Sequence, residues 1–278
     1  RHTRFKCDWS SDVCSSDLTE QSAIIHTADI VAGIGYVFQN EWSIFQKNNL
    51  INTAIARIST QKKPAHLIYL GTACSYPQSM QRSTDESVLQ ETDKYPADPE
   101  SGYGWSKLLG DIEFNLALKG TDTRLTVLDL HNVYGWPCIY NHPTSQVIPA
   151  LINRSLESTD GGSITIWGNG KQGRAFLHVS DVVSAVEKAL RYSGDHSNFM
   201  IGPNKCTTIG EVAETIIKHN RVSVDRIEYD LTKPVGDIGR YANPLRAKTE
   251  LGWEPQINFV DGMHALIDHV VNDKFSNN

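Results

Sequence analysis

Tyr103 and Lys107 stand four residues apart in the run Tyr103-Gly-Trp-Ser-Lys107. On a helix that spacing stacks both side chains on one face, about one turn apart. An ammonium beside a phenol favours the phenolate, so the pair is suited to acid–base work in an alcohol–ketone interconversion. Two ordinary polar residues on a solvated helix face share the same spacing, so the context of the pair has to decide. Part of that context is the apolar run His66–Thr72, which closes on Thr72 and leads into Cys74. In open parallel sheets functional groups collect at the carboxyl ends of strands, and a hydroxyl and a thiol fall there. A free cysteine is also a common small buried hydrophobe.

A helix must carry the first pair and a strand the second, and the chain predicts both. From Ala23 onward apolar strand-like runs alternate with amphipathic segments of helical period, a pattern for an α/β fold with a parallel sheet covered by helices on both faces. Ala23–His26 reads as a buried strand, followed by a loop through Gly33 and Gly35. Residues 41–59 read as a helix with apolar positions at Ile44, Leu50, Ile51, Ala54 and Ile55. Residues 103–118 form a second helix, on which Leu108, Ile112 and Leu116 repeat every four residues and predict one buried face. Arg124–Leu130 is the third strand. Beyond about residue 140 the texture changes: a helix over 145–156, a strand Ser163–Trp167, a helix Val182–Leu190 capped by Asp181, and a helix over 208–219. Residues 1–18 have no initiator Met and neither helical nor strand period, and read as a non-native or disordered segment.

Composition narrows the function. The 278 residues carry 26 Lys and Arg against 32 Asp and Glu, a net charge of -6, so no basic field exists to hold nucleic acid or an anionic membrane. An anionic small substrate would need locally placed arginines. No apolar run approaches the ~20 residues of a membrane span, and no secretory signal is legible, which predicts a cytoplasmic protein. The five cysteines show neither CxxC nor zinc spacing, so no metal site is expected.

Several segments, in order, give the chain its identity: IIHTAD, GTACSYP, YGWSK, NVYG, SQVIPALINR, IWGNGKQGRAFLHVSD and LGWEP. Together they resemble the extended short-chain dehydrogenase/reductases that modify nucleotide-sugars, the NAD-dependent epimerase/dehydratase family, most closely its GDP-sugar branch holding GDP-L-fucose synthase and GDP-mannose 3,5-epimerase. The resemblance runs from about Ile24 to Val271. It implies a Rossmann-like doubly wound sheet in residues 19–140, binding NAD or NADP, and a mostly substrate-binding α/β part in 141–278. It implies that His26 flanks the cofactor, that Thr72 orients substrate, and that Tyr103 is the hydride-linked acid/base. By the same likeness Lys107 binds the nicotinamide ribose and Cys74 abstracts a proton alpha to a 4-keto group. Asn132, Arg154, Trp167, Arg174 and Arg240 stand at positions that hold the nucleotide diphosphate and sugar, and the full-length protein is implied to be a homodimer. The implied activity is a nucleotide-sugar epimerase or epimerase-reductase; a 4,6-dehydratase and a non-catalytic homologue or inactive fragment are the alternatives.

The departures matter as much. The fucose-synthase branch has a histidine acid in its S-H-V-I-P-A segment, where this chain has Gln146, and an amide cannot donate a proton in that role. His142, four residues earlier, is the candidate substitute. The epimerase branch uses a lysine nearby, and none stands between Lys119 and Lys171. No glycine-rich strand–turn–helix precedes His26, and Gly33-Ile34-Gly35 follows that strand with the wrong spacing for a dinucleotide fingerprint. The expectation is an enzyme lacking roughly sixty residues of its opening βα units, inactive in this truncated form and weak in NAD(P) binding.

Overall fold

A computed structural model describes residues 18–82, 88–158, 161–195 and 197–276. Cys7, Cys14 and the rest of the expected foreign segment before Leu18 lie outside the described residues. The elements run β1 (Ala23–His26), α1 (Ile34–Gln39), α2 (Glu41–Lys62), β2 (His66–Thr72), β3 (Val88–Leu89), α3 (Gly102–Leu118), β4 (Arg124–Leu130) and β5 (Asn132–Tyr134). They continue with α4 (Val147–Glu157), β6 (Ser163–Trp167), β7 (Gly173–Arg174), β8 (Phe176–His178), α5 (Val179–Arg191), β9 (Ser197–Ile201) and β10 (Thr207–Thr208). Last come α6 (Ile209–Ile217), β11 (Arg226–Asp230), β12 (Tyr241–Ala242) and α7 (Phe259–Ser276).

The main sheet has the order β1-β2-β4-β9 and is parallel throughout, with His26 opposite Tyr69, Thr72 opposite Leu130, and Leu130 opposite Ile201. β2 is buried along nearly its whole length, as a continuous apolar run between two helical layers must be. The two-residue period of the strands splits the core. Leu67, Tyr69, Leu125 and Val127 pack with Ala56 of α2 and Phe114 and Leu118 of α3 on one face. Ile68, Leu128, Phe199 and Ile201 pack with Val182, Ala185 and Ala189 of α5 and with Trp253 on the other. A third cluster is built by α4, α6 and α7 around β6 and β8. The chain therefore crosses back: β9 and α5 follow residue 140 but complete the first sheet, so the architecture does not divide at one point in the sequence.

Several local expectations are corrected. The loop after β1 contains the short helix α1, which begins at Ile34 directly after Gly33. α2 buries Ile44, Asn48, Asn52, Ala56 and Ser59, whereas Leu50 is 65% exposed. The buried stripe steps by four residues, and Leu50, two positions from Asn48 and Asn52, falls on the far side. Leu116 is likewise 69% exposed, because Phe114 and Leu118 hold the inward face of α3. The spacing predicts Val182, Val183, Val186 and Leu190 on one side of α5, but Val183 is 54% exposed and Leu190 is 37% exposed, so neither shares the buried side of Val182. Asp181 does not cap α5. His178 does, accepting from the Ser180 amide at 3.3 Å. Asp181 instead is buried in the first turn, where its carboxylate accepts from the amides of Gln256 and Ile257 at 3.0 and 3.1 Å. Its carbonyl accepts from the Trp253 indole at 2.9 Å, so the LGWEP segment is tied beneath the sheet.

Candidate active site

A cavity of about 630 Å3 opens where the carboxyl ends of β1, β2 and β4 meet α1, α4 and the loop over 232–240. That is a size suited to a small-molecule ligand, and strand ends are where an open α/β sheet places one. Its walls include Thr72, Cys74, Tyr103, Lys107, Asn132, Trp167, Arg174 and Arg240. Eight of the ten residues singled out from the sequence thus share one space.

Local structure explains how they meet. After β2 the chain turns tightly through Ala73–Ser75, and the Thr72 hydroxyl accepts from the Cys74 amide at 3.2 Å. α3 starts from the cap Ser101, whose hydroxyl accepts from the Gly104 amide. Gly104 has to be a glycine here, because a methyl group on it would collide with the Cys74 carbonyl. This close approach brings the first turn of α3, with Tyr103, against the end of β2. One turn on, the Lys107 ammonium lies buried and donates to the Leu70 carbonyl at 2.8 Å.

Electrostatics refine the roles inferred from spacing. Lys107 pairs with Asp29 at 2.7 Å, and the Tyr103 phenol donates to the same carboxylate at 3.5 Å. Burial, then the charge of Asp29 and of Cys74, pushes Tyr103 well above the ordinary tyrosine range, while a hydrogen bond with Thr72 pulls the other way. The activating ammonium expected from the four-residue spacing is therefore engaged by Asp29, and the phenol is held neutral. Asp29 went unnoticed in the sequence, although its place just past the end of β1 is the signal that pointed to Thr72 and Cys74.

The opposite wall is built around two buried guanidinium groups. Arg240 donates to the Cys74 sulfur at 3.0 Å and to Gln81 Oε1 and Asp237 Oδ2, both at 2.6 Å. Arg174 donates to the carbonyls of Gly173 and Asp237 at 2.8 and 2.7 Å. Burial and then the charge of Arg240 lower Arg174 to about 10. Asn132 lines the cavity with a buried Oδ1 that has no partner within the described residues. Gln146 and the exposed His142 also reach the cavity wall, and His142 Nδ1 shares a hydrogen bond with the Thr144 hydroxyl at 2.8 Å.

Two expected residues lie elsewhere. The His26 ring is buried between Tyr69 and Phe114, bonded to Asn52 at 2.9 Å, and burial lowers its pKa. Arg154 turns back along α4 to donate to the Ala150 and Thr165 carbonyls, at 3.3 and 2.9 Å. Among the described residues no group of three or more His, Cys, Asp or Glu could hold a metal ion, and no helix is long and apolar enough to cross a membrane.

Comparison with known proteins agrees with this architecture. The chain is 25% identical over 252 residues to GDP-mannose 3,5-epimerase 1 of Oryza sativa subsp. indica, covering 91% of this chain and 65% of the relative. It is 29% identical over 233 residues to GDP-L-fucose synthase 1 of Arabidopsis thaliana, covering 80% of this chain and 68% of the relative. The chain thus spans about two thirds of the length of these curated relatives. Among solved structures, UDP-glucose 4-epimerase of Thermotoga maritima, determined with UDP-glucose, superposes with a TM-score of 0.80 at 20% identity over 91% of this chain and 78% of its own. The Thermus thermophilus UDP-glucose 4-epimerase, in complex with NAD, gives 0.74 at 18% identity over 90% and 77%. These likenesses establish a shared fold, the Rossmann-type arrangement expected from the motifs. The model of the NAD dependent epimerase/dehydratase family matches residues 2–202, and to that family this chain belongs.

Proposed function

We propose that the protein is a nucleotide-sugar epimerase, or epimerase-reductase, working through a 4-keto sugar with NAD or NADP, and that a GDP-sugar is its substrate. The observation that carries this reading is the meeting of a phenol, a lysine, a thiol and two buried arginines around one cavity. The relatives named for GDP-sugar chemistry support the choice of base, and the NAD in a neighbour's complex supports the cofactor. Residues 19–140 would mainly serve the cofactor and 141–278 mostly the substrate.

Asp29, Tyr103 and Lys107 suit a nicotinamide ribose, since they set one acceptor and two donors at the carboxyl ends of β1 and β2. When bound, the cofactor supplies the hydride acceptor and, later, the donor. The remaining work belongs to the chain. Tyr103, held neutral, gives a proton to the C4 oxygen on reduction. On oxidation it passes the hydroxyl proton toward Asp29, 3.5 Å away. With C4 a ketone, the neighbouring C–H bonds become acidic, and Cys74 removes a proton while the Arg240 guanidinium beside its sulfur offsets the charge. Arg174 and Arg240 supply the positive field a diphosphate needs within an acidic protein.

A homodimer in the cytoplasm belongs to the same reading. Trp105, Leu109 and Leu116 of α3 and Trp42 and Leu50 of α2 are exposed apolar side chains suited to pairing with a second copy. The decisive experiment incubates the full-length protein, its opening βα units included, with NAD(P) and a panel of GDP- and UDP-hexoses and their 4-keto forms in D2O, followed by NMR. Deuterium at C3 or C5 with inverted configuration is expected. Conversion without carbon-bound deuterium would instead indicate simple oxidation or reduction at C4.

A further inference from the structure

Gln146 cannot be the acid that must protonate the carbon Cys74 has deprotonated, and His142, the other candidate, is exposed and hydrogen-bonded to Thr144. We propose that Glu100 is that acid. The inference rests on the epimerase reading and names its second proton-transfer group.

Glu100 lies on the cavity wall immediately before Ser101, the cap of α3, three residues from Tyr103. Its carboxyl group meets that of Asp237. Asp237 is almost wholly buried: Oδ2 is taken by Arg240, and Oδ1 has no partner among the described residues. A buried acceptor without a donor is costly, and a neighbouring carboxyl group can supply the missing hydrogen bond only in its protonated form. The Gln78 amide, 3.4 Å from Glu100 Oε1, is a weak neutral contact, and Ile34 of α1 closes the side nearest Gly236 without a charge. The charged groups facing Glu100 are Asp237, Arg240 and Arg174. Burial, then Asp237, raises Glu100, and the two arginines only partly offset this, leaving it at about 7. A carboxyl group of that strength is half protonated at neutral pH, the best condition for giving a proton and taking it back.

The step balances. The Cys74 thiolate takes the proton from carbon, leaving its electron pair in the enolate. The Glu100 carboxyl O–H then breaks as its proton bonds to the opposite face of that carbon. Glu100 is left as carboxylate and Cys74 as thiol, and proton exchange through water resets both.

Two measurements test this. The first uses the free 278-residue protein labelled with [δ-13C]glutamate, the Glu100 signal being assigned with Glu100→Gln. Half-titration near pH 7 is expected, falling toward the ordinary glutamate range in Asp237→Asn; half-titration between about 4 and 5 in the wild type overturns the proposal. The second follows the panel reaction in D2O. Glu100→Gln should lose at least about a hundredfold in formation of inverted sugar, yet still exchange deuterium with retained configuration through Cys74. Glu100→Asp should recover part of the loss. Equal inversion in wild type and Glu100→Gln overturns Glu100 alone, whereas no carbon-bound exchange in the wild type overturns the epimerase reading and Glu100's role with it.

Discussion

The two walls of the cavity are charged by different rules. On the sheet wall the Lys107 cation is matched by the Asp29 anion at 2.7 Å, and Tyr103 stays a neutral phenol beside Asp29. On the facing wall two cations, Arg174 and Arg240, stand around one buried aspartate, Asp237, whose carboxylate pairs with Arg240 and whose backbone carbonyl accepts from Arg174, with Glu100 protonated beside it below about pH 7. One wall is balanced, and the other keeps a positive excess. A balanced pair suits groups that pass protons without attracting anions, whereas a guanidinium pair only partly compensated by one carboxylate suits a diphosphate. On the proposed reading the fold thus concentrates positive charge on the wall that would meet the diphosphate, by placing its carboxylates unevenly.

The sharpest way to break that contrast is to remove the reactive groups of the sheet wall. Tyr103→Phe should lower turnover by at least about a hundredfold with little change in substrate affinity, measured as kcat against KM in the panel reaction. Cys74→Ser should leave any simple oxidation largely intact while abolishing deuterium uptake at C3 or C5. A rise in KM with unchanged kcat in either variant would move that residue to the binding wall.

The facing wall should respond in the opposite manner. Arg174→Ala is expected to weaken nucleotide-sugar binding by roughly 1.5 to 3 kcal/mol, the size of a charge-assisted contact, with nicotinamide affinity unchanged. Arg154→Ala is the control. Because its guanidinium is spent on the Ala150 and Thr165 carbonyls, the loss should appear as a lower Tm with near-normal substrate affinity in calorimetry.

Asp29→Asn unbalances the sheet wall while leaving the Tyr103 phenol itself in the chain. Burial raises Tyr103 first and Asp29 adds to it, so the neutral amide should let Tyr103 ionise at lower pH. The alkaline limb of the rate profile should move to lower pH. An unmoved limb would show that burial alone governs Tyr103.

The smallest effect concerns stability. Burial holds His66 at about 4 and His131, behind Arg240, at about 3, against 6.5 when unfolded. Below pH 6.5 the unfolded chain binds protons these folded rings refuse, so stability is full above that pH and is lost as pH falls toward 4 and then 3. Glu100 opposes this between about 4.5 and 7, since there the folded state binds the extra proton. Two histidines against one carboxyl predict a urea midpoint lower at about pH 5.5 than at about pH 7.5. The difference should widen in Glu100→Gln and narrow in His131→Asn.

The sequence by itself determined the alternation of strands and helices, because apolar period and strand length are local properties. It also determined which residue types stand at the ends of β2 and at the start of α3. Thr72, Cys74, Tyr103 and Lys107 could be found that way, since a strand end and a helix face are both readable from spacing. What it could not determine is which charges face one another across long chain separations. Asp29 against Lys107, Arg240 against Cys74, and Asp237 against Glu100 all depend on loops whose paths follow from packing. The same limit explains His26 and Arg154. Each stands beside the site in sequence, yet a buried amide or a row of backbone carbonyls offered its polar atoms nearer partners. Buried polar groups must be satisfied by whatever tertiary packing brings within reach, and only the folded arrangement decides which of them turn toward the cavity.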